Sequence, residues 1–67
     1  MSPRQLSGMI KRLREAKGLS QKALAEKSGV TDAYVAMIET GERKNPSIPV
    51  LRRLAKALGV PVTELLG

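Results

Sequence analysis

Apolar residues recur along most of this chain at three- and four-residue spacing, interrupted by glycines and short polar breaks. Leu6, Met9, Ile10 and Leu13 share one helical face, while Lys11, Arg12 and Glu15 fall on the others. A first helix is predicted from about residue 3 to 17, with Ser2 as N-cap, Pro3 at the first helical position and Gln5 where a capping box takes Glu or Gln. Gly18 supplies the left-handed residue that ends it, and Arg14 and Lys17 sit in the last turn, where cations suit the dipole. Leu19 then precedes Ser20, an apolar residue before an N-cap, and Leu24 takes the matching staple position, so a second helix runs from Gln21 to about Lys27. Ser28-Gly29 breaks it, Val30 turns inward, and Thr31 caps a third helix that ends at Thr40-Gly41. In that helix Asp32 lies in the first turn and Val35 and Ile38 form the inward stripe.

Residues 41–46, reading GERKNP, form a polar loop made basic by Arg43 and Lys44. Ser47 can cap a fourth helix, which tolerates Pro49 because a first-turn amide has no intrahelical acceptor. Leu51, Leu54, Ala55 and Leu58 give this helix a clean apolar stripe, with Arg52, Arg53 and Lys56 on its other faces. Gly59 stops it, and residues 61–66 can form a last short helix that lays Leu65 and Leu66 on the core. The leucine stripe reads as core, with a dimer seam around Val62 and Leu66 as the alternative for its edge. The expectation is an all-α chain of five helices, a single domain over residues 1–67 with no internal repeat.

Composition narrows the chemistry. With 67 residues and 42% hydrophobic content, the core must be small and local. The absence of Cys and His removes disulfides, thiolate or imidazole metal sites and the usual nucleophile–base pairs. Glu15, Glu26, Glu42 and Glu64 are scattered over different elements, so no catalytic constellation forms, and neither an enzyme nor a cofactor is expected. No apolar run reaches the roughly 18 residues of a membrane span, and the Met-Ser-Pro-Arg start lacks a signal's apolar segment. A cytosolic chain, complete at its N-terminus, is expected. Twelve Lys and Arg against six Asp and Glu leave +6, which favours an anionic partner. Tyr34 is the one aromatic residue, so the stacking platforms of single-strand binders are missing and duplex DNA fits better.

The stretch from Gln21 to Thr40 then takes on meaning. Where two short helices cross steeply so that the second can reach a major groove, the positions of closest approach admit only small residues. Ala25 lies midway along the first of these helices, Gly29 lies in the turn, and Val35 and Ile38 face back toward the other helices.

These residues, with the runs LSQKALAEKSGV, YVAMIETGERKNPSI and LAKALGVPVTELL, resemble the Cro/repressor-type (XRE-like) helix-turn-helix family of bacteria and phage. The likeness covers nearly the whole chain. It implies a compact five-helix lambda-repressor-like DNA-binding domain, often dimeric on operators, that regulates transcription. Asn45-Pro46-Ser47-Ile48 also resembles the biofilm- and sporulation-type repressors of that family. By this resemblance Gln21 meets a backbone phosphate at the start of its helix. Asp32, Ala33 and Met37 occupy base-contact positions, and Thr31, Tyr34 and Thr40 are placed to touch sugar and phosphate. Lys44 and Asn45 lie along the backbone, and Arg14 and Glu39 match a pair that forms an internal salt bridge in parts of the family.

One departure stands out. From Thr31 to Thr40 there is no Arg, Lys, Gln or Asn, so the bidentate guanine and adenine contacts of direct readout are absent from the recognition helix. Asp32 can accept from a cytosine amino group, and Ala33 and Met37 can pack on thymine methyls. Asp32 can equally be a first-turn charge on the helix dipole. Lys22, Arg43 and Lys44 flank the helix and supply positive charge, with specificity leaning on Tyr34, water, DNA shape and dimer spacing, and with Arg43 as a candidate extra contact. The expected protein is a sequence-specific double-stranded-DNA-binding transcriptional regulator, a repressor that binds a two-fold operator as a homodimer that DNA assists. The alternative is a protein-interaction module such as an antitoxin, which usually carries an extra tail beyond this fold.

Overall fold

The computed structural model describes residues 3–43 and 45–66, and within that span the side chains from Leu6 onward. Ser2 and the Gln5 side chain, expected to cap the first helix, and Lys44 lie outside the described residues. The helices are α1 (Pro3–Ala16), α2 (Gln21–Ser28), α3 (Asp32–Thr40), α4 (Ile48–Leu58) and α5 (Val62–Leu66). The described residues contain no strand.

Local sequence sets the limits of these helices. The hydroxyls of Ser20 and Thr31 accept from the Ala23 and Tyr34 amides at 3.0 Å, and Ser47 accepts from Val50 at 3.4 Å. At the end of α2 the Gly29 amide donates to the Glu26 carbonyl and Val30 to the Ala25 carbonyl, which satisfies two orphan acceptors. Gly29 does this at φ 71°, a left-handed conformation that an L side chain adopts only at a cost. A Cβ built there meets nothing within 4 Å, so strain alone opposes substitution. Gly29→Ala is expected to lower unfolding free energy by about 1–2 kcal/mol; a denaturation midpoint equal to wild type would contradict this.

None of the helices could stand alone, and packing supplies what length does not. α2 lies against both α3 and α4, α1 against α3 and α5, and α4 against α5. Leu6 and Ile10 of α1, Leu24 and Ala25 of α2, Val35 and Ile38 of α3, Leu51, Leu54, Ala55 and Leu58 of α4 and Leu65 of α5 meet in one buried cluster. The expected inward faces of α1 to α4 are therefore the observed ones, with Met9, Leu13, Leu19 and Val30 partly buried around them.

Three details differ from expectation. Ser28 is the last residue of α2 rather than part of the break. It is buried, with a hydroxyl that finds no hydrogen-bond partner among the described residues. α5 begins at Val62, with Pro61 preceding it. Leu66, expected on the core beside Leu65, is 44% exposed, whereas Leu65 is 2% exposed. Adjacent helical residues point about 100° apart, and a single turn can aim only one of them at a narrow core.

Candidate nucleic-acid interface

The N-termini of α2 and α3 converge on a surface cleft of about 560 Å³ lined by Arg14, Ser20, Gln21, Lys22, Asp32, Ala33 and Ala36. Capping explains how the α2 end is presented. Ser20 takes the Ala23 amide with its hydroxyl and the Leu24 amide with its carbonyl. The Gln21 and Lys22 amides remain for an acceptor from outside, at the positive end of the helix.

Behind the cleft, Glu39 holds three helices together. Its Oε2 accepts from Arg14 Nε at 2.6 Å, and its Oε1 accepts from Arg14 Nη2 at 3.2 Å and from Gln21 Nε2 at 3.0 Å. Arg14 donates its remaining terminal nitrogen to the Leu19 carbonyl at 2.7 Å, so its fork is used on both sides. The side chains of the pair are 12% and 4% exposed. The bond to Glu39 raises the Arg14 pKa above its ordinary value, against a burial effect that lowers it; the charges of Glu39 and Glu15 add to the rise. This is the bridge between the first and third helices that the resemblance implied. Gln21 adds the second helix to it and thereby commits one donor of its amide, leaving its helix end as the part turned to the cleft.

The other residues singled out in the sequence fall into two groups. Gln21, Lys22, Asp32 and Ala33 come together in the cleft. There the Asp32 carboxylate folds onto its own helix and accepts from the Ala33 amide at 3.0 Å, the first-turn role that was the alternative to base contact. Tyr34 and Arg43 form a second group, with the guanidinium carbon 5.0 Å from the ring centroid. Between them along α3, Met37 is half-buried and Thr40 exposed, its hydroxyl donating to the Met37 carbonyl at 3.2 Å. The Thr31 hydroxyl is occupied as the cap of α3. Asn45 is exposed in the segment before α4, and Lys44 is not among the described residues.

Ser20 and Ala36 also line the cleft, and for Ser20 capping is the one signal legible beforehand. Ala36 was legible in principle, since it lies one turn from Asp32 and Ala33 on the same helical face.

This geometry matches known proteins over almost its whole extent. The helix-turn-helix family HTH_3 matches residues 10–65. The chain belongs to that family. The helix-turn-helix relatives are transcriptional regulators, not enzymes. An uncharacterized HTH-type transcriptional regulator, y4dJ of Sinorhizobium fredii, is 42% identical over 67 residues, spanning 98% of this chain and 86% of that protein. The HTH-type transcriptional regulator SinR of Bacillus subtilis is 44% identical over 57 residues, 85% of this chain and 51% of SinR. The chain thus spans about half the length of SinR. Among solved structures, the biofilm regulator SinR in complex with DNA superposes with a TM-score of 0.88 at 40% identity, covering 92% of this chain and 98% of that one. The complex of SinR with SinI gives 0.86 at 41% identity, over 91% of this chain and 59% of that one. Among the described residues no helix is long and apolar enough to cross a membrane, and no group of acidic residues is arranged to hold a metal ion.

Proposed function

We propose that this chain binds double-stranded DNA as a transcriptional regulator and does so as a homodimer on a two-fold operator, with half-sites about one turn, roughly 34 Å, apart. The observation that carries the reading is the cleft, where two unused α2 amides and Lys22 stand beside the exposed N-terminus of α3. A DNA phosphate seated on the α2 terminus is held by those amides and by the helix dipole, and α3 then lies along the major groove in a set register. Likeness to SinR, solved in complex with DNA, supports DNA as the partner. The exposed Leu66 and half-buried Val62 of α5 give an apolar edge suited to the dimer contact. Bound protein acts by occupying its site and thereby blocking or recruiting polymerase.

The experiment is a binding titration against a duplex enriched from a random pool, repeated across salt concentrations. Log affinity is expected to fall against log salt with a slope of about −0.9 for each phosphate neutralised. Lys22→Ala should weaken binding to all sequences alike and make that slope shallower by about 1. Affinity that ignores salt would refute the phosphate contacts. The second reading is a protein-interaction module: SinR is also solved in complex with SinI, and co-purification of a stoichiometric partner tests whether this chain grips a protein.

A further inference from the structure

We infer that Arg43, held on the ring of Tyr34, is the side chain that reads a guanine edge, a task no residue of α3 can perform. The inference rests on the DNA-binding reading above and assigns its base specificity. A guanine is read in the major groove by two parallel donors aimed at its O6 and N7. Along the accessible side of α3 the residues are Asp32, Ala33, Ala36, Met37 and Thr40. The Thr40 hydroxyl is the one donor among these side chains, and it is bonded to the Met37 carbonyl. The helix that enters the groove thus presents no fork of its own.

Arg43 lies three residues beyond the helix end, yet its backbone is tied back to α3. Gly41 turns the chain at φ 84°, and the Glu42 amide donates to the Thr40 hydroxyl at 3.4 Å. The Arg43 amide then donates to the Met37 carbonyl at 3.0 Å. The carbonyl that anchors it belongs to the residue one turn after Tyr34, so the side chain starts beside the ring it stacks on. Tyr34 is itself packed partly into the core, which fixes that ring.

The chemistry of the stack makes the pose useful. A ring takes one face of a guanidinium and leaves its in-plane N–H donors at the edge, where a base or phosphate can accept. Among the described residues the guanidinium makes no hydrogen bond, and the one ion pair is Arg14–Glu39, so the Arg43 charge is not neutralised. An exposed arginine ordinarily loses side-chain freedom on binding; here the stack has already restricted it. A phosphate contact would use the same charge without caring about sequence, and that difference is measurable.

The test selects duplexes from a random pool with wild type, Arg43→Lys and Tyr34→Leu, each checked for helicity by circular dichroism. Wild type is expected to enrich a guanine at one position per half-site. Arg43→Lys keeps the charge and loses the fork and the stack, so preference at that position should fall about ten-fold, with other positions and the salt slope preserved. Tyr34→Leu, which retains an apolar side chain toward the core, should reproduce part of the loss. Replacing that guanine with 7-deazaguanine, which lacks the N7 acceptor, should weaken wild type more than Arg43→Lys. An Arg43→Lys profile identical to wild type overturns the inference while sparing the DNA-binding reading. So does an Arg43→Ala variant that makes the salt slope shallower without altering base preference, the mark of a phosphate contact. Failure of wild type to enrich any duplex overturns both.

Discussion

Glu39→Ala should leave a substantial fraction of the domain unfolded at 25 °C. The substitution removes three acceptor contacts at once, two to Arg14 and one to Gln21. The Arg14 guanidinium is then left 12% exposed in its side chain with the Leu19 carbonyl as its remaining partner. Breaking a buried pair from one side costs about 3–5 kcal/mol because the other charge stays uncompensated. A core this small rarely supplies more than about 3–5 kcal/mol in total. The two quantities are of the same size, so loss of far-UV helicity is the expected reading. The double variant Arg14→Met with Glu39→Leu removes both charges and should regain most of the helicity, short of the contribution from the Leu19 carbonyl. A folded, cooperatively melting Glu39→Ala protein would show that the pair is dispensable. The raised Arg14 pKa gives its sign to the pH dependence: stability from the charged guanidinium is complete below the ordinary arginine value and is lost only as pH rises through the still higher folded one. Arg14 therefore contributes no transition in the neutral or mildly alkaline range.

The second large effect separates two adjacent leucines. Leu65→Ala should cost about 2–5 kcal/mol, since the side chain is 2% exposed and closes the core between α1 and α4. Leu66→Ala, at 44% exposure, should change stability of the monomer by no more than about 0.5 kcal/mol. Chemical denaturation at low protein concentration, where any dimer has dissociated, compares them directly. Equal losses would mean that α5 is rotated from the described position. A Leu66→Ala effect that appears only at high protein concentration would instead support the dimer edge proposed for α5.

Much of this was legible before any coordinates. Ser20, Thr31 and Ser47 before apolar-periodic runs marked the helix starts, and Gly18, Gly29, Gly41 and Gly59 marked the ends. All four glycines have the positive φ expected of them. These signals are reliable because capping and left-handed termination involve residues only a few positions apart. The inward stripes of α1 to α4 were legible for the same reason. The candidate interface was less so. Sequence pointed to Gln21, Asp32 and Ala33 through the family resemblance and to Lys22 through its charge beside the helix, and the cleft unites them. It did not disclose that Gln21 shares Glu39 with Arg14, that Asp32 bonds to the Ala33 amide, or that Tyr34 and Arg43 stack. Each depends on side-chain directions that no spacing rule supplies.

Sequence alone determined the helices, their limits to within about a residue, the apolar faces of α1 to α4 and the shortage of base-reading donors between Thr31 and Thr40, because helix periodicity and capping are short-range and residue types are read directly. Tertiary structure decided which of Leu65 and Leu66 is buried, which acceptors Arg14 and Gln21 find across 25 and 18 residues, and where the Arg43 guanidinium rests. Those outcomes depend on how five short helices cross around a small core, since an angle of a few tens of degrees at a crossing moves a side chain from one partner to another.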